Sequence, residues 1–457
     1  MESEPTVPQT KADARPSSAV SRTTTLPGLG ALSAFGGYAF IESFIDNSQN
    51  LNPDRKARKK IYLGDETKVN DRAVLREKLK LWIEVLNSSN NQNDMLDTAN
   101  KKAAEVEQNL QKNLLRALET IRELETSYRA LSLFFKNTET DKLSNVSVMN
   151  ADFDQLTDLD NPRFIDHVAN ELKQNYDRLD LRQNYSLLVV PGFMGSNAVL
   201  EKWAKIAHAN KVTLFTDFAD LESSDDVIDL FSTANMTGAE LFRSSVVMTC
   251  NWLVGRSKVA EVGEAEHLYV PPSAALAGKI YYTLMSQVTA GKKHGGMNEA
   301  PGVRFPLRKS ELSAVERLNL VPMIDEYGRV MAFGSKTLFN GDNIGLQTYS
   351  VVRVFDYIVK VLFDFLNRRA FENWNSLIEA DLRRQIAGFL DSIKGPNKLI
   401  DQFRIMRLER DDKVKDRIYL DIRLTPYFPA KSFVIRLDGR RGDDVENPEW
   451  VSDYGQV

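Results

Sequence analysis

Cysteine is all but missing from this 457-residue chain. Cys250 stands alone, so no intrachain disulfide can form and a reducing compartment suits the protein. Its place inside the apolar run Val246 to Val254 reads as that of a small buried hydrophobe. Histidine is almost as scarce. His167, His208, His267 and His294 lie far apart, with no second histidine or cysteine at metal-binding spacing, which argues against a zinc site. Long hydrophobic runs are lacking too. The nearest, Val351 to Leu366, is broken by Arg353, Asp356, Lys360 and Asp364, short of the roughly 20 apolar residues a bilayer span needs, so direct membrane insertion is not expected. Met1 to Leu26 is rich in Ser, Thr and Pro and has no apolar core of the kind a secretory signal carries. A net charge of −4 supplies no general field that would draw in nucleic acid or an anionic membrane.

What is present is an ordinary balance of 42% hydrophobic and 27% charged residues, enough for a large core, in a chain long enough for two or more domains. The pattern suggests a flexible arm over 1–60, a mainly helical segment over 61–150, a middle α/β domain over 151–330, a C-terminal core over 331–437 and a loose polar tail over 438–457. Within the arm, Phe40, Ile41, Phe44 and Ile45 fall on one face of a short amphipathic helix, suited to a partner's groove or to this protein's own core. The basic run Arg55, Lys56, Arg58, Lys59 and Lys60 reads as a solvated face. From Ala103 to Phe135 the residues Val106, Leu110, Leu114, Leu118, Ile121, Leu124, Tyr128 and Leu131 make a helical apolar stripe. Glu119, Arg122 and Glu123, with Glu125 and Arg129, are then expected on the opposite, outer face.

Val146 to Met149 is a short β-like run. Tyr185 to Val190 predicts a strand covered on both faces, the turn Pro191 to Ser196 leads into a helix over Ala198 to Ala209, and Val212 to Phe215 follows as a parallel strand. Tyr349 to Arg368 reads as a helix apolar nearly all round and hence buried, and Trp374 to Lys394 as an amphipathic helix stopped by Gly395 and Pro396. The period then becomes two. Ile418, Leu420, Ile422 and Leu424 alternate with polar residues, as Phe433, Ile435 and Leu437 do again, predicting half-buried strands.

Catalytic patterns are hard to find. The loop Gly291 to Gly296, with Lys292, Lys293 and His294, lacks the setting and ending of a phosphate loop. The turn Pro191 to Ser196 could offer amides to an anion at a helix start, yet no lysine or acidic partner stands at the right spacing, so a crossover turn is the better reading. Asp225, Asp226 and Asp229 read as the acidic first turn of a helix. An α/β enzyme taking a phosphorylated ligand at Pro191 to Ser196 stays as a remote alternative. No catalytic residue, metal or cofactor is assigned.

Taken in order, several segments resemble the large subunit of the type VI secretion contractile sheath. Leu118 to Asp141 is similar to the family's helix in which Trp-Arg-Gly-Leu leads to a Thr-Glu-Thr turn, with Tyr128, Arg129, Ala130 and Leu131 in place of the first element. Val146 to Asp154 matches the strand that follows, and Ser186 to Phe193 the strand entering its Gly-Asp-Tyr segment, without the acidic residue. Phe242, Arg243, Ser244 and Ser245 resemble its Phe-Arg-x-Ser stretch. Arg329 to Leu338 resembles the Gly-x-Arg-Thr-Leu element, with Lys336 for the arginine. The C-terminal part also resembles phage tail sheath proteins, and a phage-like tail sheath is the runner-up. The departures suggest a divergent branch, such as that of Bacteroidetes.

The resemblance implies a non-enzymatic, cytoplasmic structural protein. Its fold would be a mixed α/β, multi-domain contractile-sheath fold, with mixed sheets flanked by helices and strands exchanged between subunits. It implies as partners a small sheath subunit, an inner tube, a baseplate and a Clp-family AAA+ disassembly ATPase. Ile418, Leu420, Ile422, Leu424, Phe433, Ile435 and Leu437 are then the candidates for inter-subunit strand pairing, and Phe40, Ile41, Phe44 and Ile45 for ATPase recognition.

Overall fold

The computed structural model describes residues 64–181, 184–431, 434–439 and 450–455. The chain divides into two compact units, Met1–Arg116 and Ala117–Val457. In the first, helix α1 (Val69–Asn87) is followed by helix α2 (Gln92–Asn137), which runs on into the second unit. Leu86 and Met95 are buried between the two helices' ends, and Lys102 Nζ donates to Glu84 across them at 2.9 Å.

The second unit is built on one sheet. After α3 (Phe153–Thr157) and α4 (Arg163–Tyr176) come β1 (Leu187–Val189), α5 (Asn197–Ala209), β2 (Thr213–Asp217), α6 (Ser224–Ala234) and β3 (Val246–Cys250). A small hairpin, β4 (Leu253–Arg256) with β5 (Leu268–Val270), precedes α7 (Ser273–Tyr282), the helical turn α8 (Gly291–His294) and α9 (Lys309–Arg317). Strands β6 (Val321–Glu326) and β7 (Arg329–Ala332) complete a sheet of order β1-β2-β3-β6-β7, in which only β7 runs antiparallel to its neighbour. Side chains alternate between two cores, as the period of a strand demands. Leu214, Val246, Met248 and Cys250 pack with Trp203 of α5 and Phe231 of α6, while Phe215, Val247 and Met323 pack with Leu276 and Ile280 of α7. The strand-turn-helix-strand unit expected over 185–215 is thus present, and the predicted Cys250 burial is met.

Asp217 ties the unit together at the C-terminal end of β2. Its wholly buried carboxylate accepts from Gly192 N at 2.8 Å, Ser273 N at 2.7 Å, Ser273 Oγ at 2.5 Å and from the Thr249 hydroxyl. Those donors come from the turn after β1, from the first residue of α7 and from β3. Gly192, at φ 101°, supplies the left-handed backbone that aims its amide there. Burial outweighs the four donors and raises the carboxyl to about pH 6.

A third core lies C-terminal. Helices α10 (Tyr349–Arg368) and α11 (Ser376–Ser392) pack Val354, Ile358 and Leu362 against Ile386, Leu390 and Ile400. The hairpin β8 (Ile400–Arg410) with β9 (Ile418–Pro426) lies against them, and β10 (Val434–Gly439) pairs antiparallel with β11 (Trp450–Gly455).

Five expectations need correction. Val146 to Met149 is extended but joins no ladder among the described residues, held beside the chain before β1 by a 2.7 Å bond between Ser147 Oγ and the Tyr185 hydroxyl. The tail is not loose throughout, because β11 pairs with β10 in register from Gly439 opposite Trp450. Helix α10 is buried on one side and not all round: Val354, Ile358, Lys360 and Leu362 are buried, while Phe355, Tyr357 and Phe363 meet solvent. The loop at 291–296 begins as helix α8, and Gly295 and Gly296 are buried beside β7. β8 was not anticipated at all.

The C-terminal turns of α2 pack closely on α7. A Cβ on Gly278 would stand 2.3 Å from the Phe134 carbonyl oxygen, a backbone atom that cannot swing away. Gly278→Ala is therefore expected to lower unfolding free energy by about 1–3 kcal/mol. The control Gly388→Ala, in open space inside α11, is expected to raise it by about 0.5–1 kcal/mol. Chemical denaturation checks both. For Asp217 the sign follows from a folded pKa above its unfolded value. Its stabilising contribution is whole below pH 3.8 and fades as pH climbs through about 6, so the advantage of wild type over Asp217→Asn should shrink by about 3 kcal/mol across that window. An advantage growing with pH would show that the donors outweigh burial.

Candidate assembly interface

Helix α2 lies with its faces reversed from expectation. Around its second half, Arg122, Glu125, Arg129, Ala130, Leu133 and Asn137 turn toward the sheet domain. The apolar residues Ile121, Leu124, Tyr128 and Leu131 face solvent, with Leu124 at 70% and Tyr128 at 71% exposure. In the first unit Val106, Leu110 and Leu114 are exposed as well. Glu125 and Arg129 therefore do not decorate an outer face.

A set of ion pairs produces the reversal. Arg256, at the end of β4, donates to Glu125 Oε1 at 3.0 Å on one side and to both oxygens of Glu264, at 2.7 and 2.9 Å, on the other. Arg129 adds a 2.8 Å bond to Glu125 and reaches the Gly255 carbonyl, and Arg122 reaches Glu264 at 3.5 Å and the His267 carbonyl at 3.1 Å. Arg256 holds the Glu264 carboxyl down at about 2, and Glu264 in turn raises the Arg256 guanidinium. Burial opposes the charge on Glu125, but its bonds from Arg256 and Arg129 hold it below the usual carboxylate range. A set of partly buried charges satisfied on all sides is costly to dismantle and fixes one orientation. Sequence inspection missed Arg256 and Glu264 because Glu125 stands 131 positions from Arg256.

The strand candidates sit as follows. Ile418, Leu420, Ile422 and Leu424 are on β9, the last three half-buried against α10 and α11 and Ile418 exposed at 44%. Ile435 and Leu437 lie on β10, Ile435 exposed at 54%. Each hairpin is a two-stranded sheet, so among the described residues the outer edges of β9 and β10 carry no ladder. Phe433 lies outside the described residues, as do Phe40, Ile41, Phe44 and Ile45 and the basic run at 55–60.

The remaining candidates are placed without a common site. The turn after β1 gives its Gly192 amide to Asp217, and Ser196 caps α5. Asp225 and Asp226 occupy the first turn of α6 behind the cap Ser223, as expected. His208 meets Ser245 at 3.1 Å, His267 accepts from Lys258 N at 3.1 Å, and the described residues include no group of three metal-capable side chains. No described helix is long and apolar enough to cross a membrane.

The comparisons with known proteins agree with an assembling subunit. Residues 27–114 match the TssC/VipB-like N-terminal region, 116–340 the type VI secretion system TssC/VipB central domain and 348–456 the TssC/VipB-like C-terminal domain. No curated protein matches the chain significantly. Among solved structures it is similar to a chain of the contracted helical sheath of the anti-feeding prophage, at 17% identity over 69% of this chain and 82% of that one, with a TM-score of 0.49. A chain of that particle's baseplate gives 16% identity over 70% and 81%, with a TM-score of 0.47. The sheath tail protein of Desulfitobacterium hafniense gives 14% over 50% and 57%, with a TM-score of 0.33. Three models of one family, following each other in order along almost the whole sequence, establish that the chain belongs to the TssC/VipB family, the large subunits of the type VI secretion contractile sheath.

Proposed function

We propose that this subunit forms the wall of the sheath with a small second subunit, around an inner tube and on a baseplate, in the cytoplasm. The observation that carries the reading is a periphery left incomplete on one folded chain. An apolar helical face stands outward on α2, and the outer edges of β9 and β10 are open. A helix of the small subunit fits the first by burying Leu124 and Tyr128, each such side chain contributing about 1.5–3 kcal/mol. Strands of neighbouring subunits fit the second. Each added main-chain bond nets about 1 kcal/mol, so a ladder of several makes a strong link that tolerates a change of angle.

Ile418, Leu420, Ile422 and Leu424 on β9, with Phe433, Ile435 and Leu437 around β10, are the residues we assign to that pairing. Contraction then needs no bond-making chemistry, since subunits rotating from a strained packing into a tighter one release stored energy. We accordingly assign the chain no catalytic role and no cofactor. Phe40, Ile41, Phe44 and Ile45 suit a short helix recognised by a Clp-family AAA+ ATPase after contraction.

Removing everything after Pro426 is expected to abolish long polymers while a soluble complex with the small subunit persists. Electron microscopy of the co-expressed pair reads this out, and long sheaths from the truncated chain would refute strand pairing. Leu124→Asp combined with Tyr128→Asp is expected to break co-purification of the small subunit. Phe44→Asp should leave contracted sheaths intact in the presence of the ATPase and ATP; disassembly at the wild-type rate, followed by light scattering, would remove Phe44 from that role.

A further inference from the structure

Five Asp, Glu, Lys or Arg side chains of the described residues are buried to nine-tenths or more: Asp217, Arg243, Glu264, Arg353 and Lys360. Four are satisfied. Asp217 has its four donors and Glu264 has Arg256. Arg243 donates to the Met236 carbonyl, to Asn197 Oδ1 at 3.2 Å and to Glu240 at 2.9 Å, and Lys360 Nζ donates to the Tyr185 carbonyl at 2.7 Å. Arg353, in the second turn of α10 and 8% exposed, is the exception, with no hydrogen bond or ion pair among the described residues.

The ionisable group one turn before it on α10 does not help it. The Tyr349 phenol already accepts from Thr289 N at 2.9 Å, and burial raises its pKa, so it stays neutral and supplies no counter-charge. Burial without a carboxylate pulls the guanidinium down to about 10. Two further polar groups in the same neighbourhood lack partners. Ser350 Oγ, one turn before Arg353 on the same helical face, and Ser335 Oγ, whose backbone carbonyl accepts from Tyr349 N at 3.1 Å, are both sealed from solvent and unbonded. The sealed, unbonded side-chain atoms of the described residues are these two and Thr138 Oγ1. The Arg353 nitrogens are not among them, so the guanidinium keeps a narrow opening to solvent while its stem is buried.

Native interiors leave few such groups without partners, and a buried guanidinium least of all. We propose that Arg353 is a socket for a carboxylate side chain of another sheath subunit, filled when the wall assembles. The planar guanidinium fork matches a carboxylate with two parallel bonds. In the lone subunit the unpaired charge raises the free energy. Filling the socket removes that penalty only in the assembly, so the device favours the polymer over the free chain. The inference rests on the sheath function established by the family.

The test compares wild type, Arg353→Met and Arg353→Lys as full-length chains co-expressed with the small sheath subunit. Arg353→Met is expected to cut the sedimenting sheath at least about tenfold, with Arg353→Lys in between because it keeps charge and loses the fork. The Tm of unassembled Arg353→Met chain should equal or exceed that of wild type, since an unpaired buried charge has gone. A lower Tm in that variant would place the partner of Arg353 within its own chain, and an undiminished yield of sheath would show that nothing fills the socket; either result overturns the proposal. Inorganic phosphate and acetate, added to unassembled chains, form the other arm. A rise in Tm for wild type but not for Arg353→Met would identify a free anion as the occupant and equally overturn it. Wild-type sheath formation is the control, so a failure of the sheath function shows there and a failure of the socket only in the variants.

Discussion

Arg256 stands between two carboxylates, Glu125 on α2 and Glu264 on the loop before β5, and the orientation of α2 depends on that arrangement. By amphipathicity alone the helix would put Leu124, Tyr128 and Leu131 inward, each worth a few kcal/mol of burial. It does the opposite. The inward face still buries Ala130 and Leu133 against α7, and Arg122, Glu125 and Arg129 find their counter-charges there. Turning the helix over would take Glu125 away from Arg256 and Arg122 away from Glu264, leaving those two only each other, and would carry Ala130 and Leu133 into solvent. The apolar stripe is thus displaced outward by electrostatics, and a surface fit for a second protein is the consequence.

The same division between a finished centre and an unfinished rim holds throughout the second unit. The five-stranded sheet is covered on both faces, and Asp217 joins the turn after β1, the side chain of β3 and the start of α7 at one carboxylate. By contrast, β8–β9 and β10–β11 are two-stranded, and an isolated hairpin is at best marginally stable in water. The first hairpin is held by Leu420, Ile422 and Leu424 against α10 and α11. Additional strands would complete both.

How much of this was legible in the sequence depended on the distance over which each cause acts. The β1–α5–β2 unit, α10 and α11 were readable because their signals are local: a run of aliphatic residues, a glycine turn, an apolar periodicity, a Gly-Pro stop. The existence of α2 was readable for the same reason. Its orientation was not, because the ion pairs that set it join residues more than a hundred positions apart. β8 was hidden by two register shifts, between Ile400 and Gln402 and between Ile405 and Arg407, which break the period of two that announced β9. β11 was hidden by polar neighbours, and Arg353 looked like a mere interruption of an apolar helix. The family was legible from the order of its segments, although no single element was diagnostic.

An open strand edge is ordinarily an aggregation hazard, so a subunit that keeps such edges must limit which strands can join them. If β9 takes a neighbour's strand as proposed, the charge on the β8–β9 hairpin would set that limit. Arg404 and Arg423 are exposed and stand opposite each other, Arg407 pairs with Glu409 and lies over the Tyr419 ring at 4.2 Å, and Asp421 stands opposite Arg407. A strand without complementary charges would have to desolvate these groups without compensation, which costs more than the main-chain bonds return. A strand that supplies the complement gains both terms. The charged residues that interrupt the apolar alternation therefore weaken the hairpin as a core element and, by the same physics, make it selective as an edge.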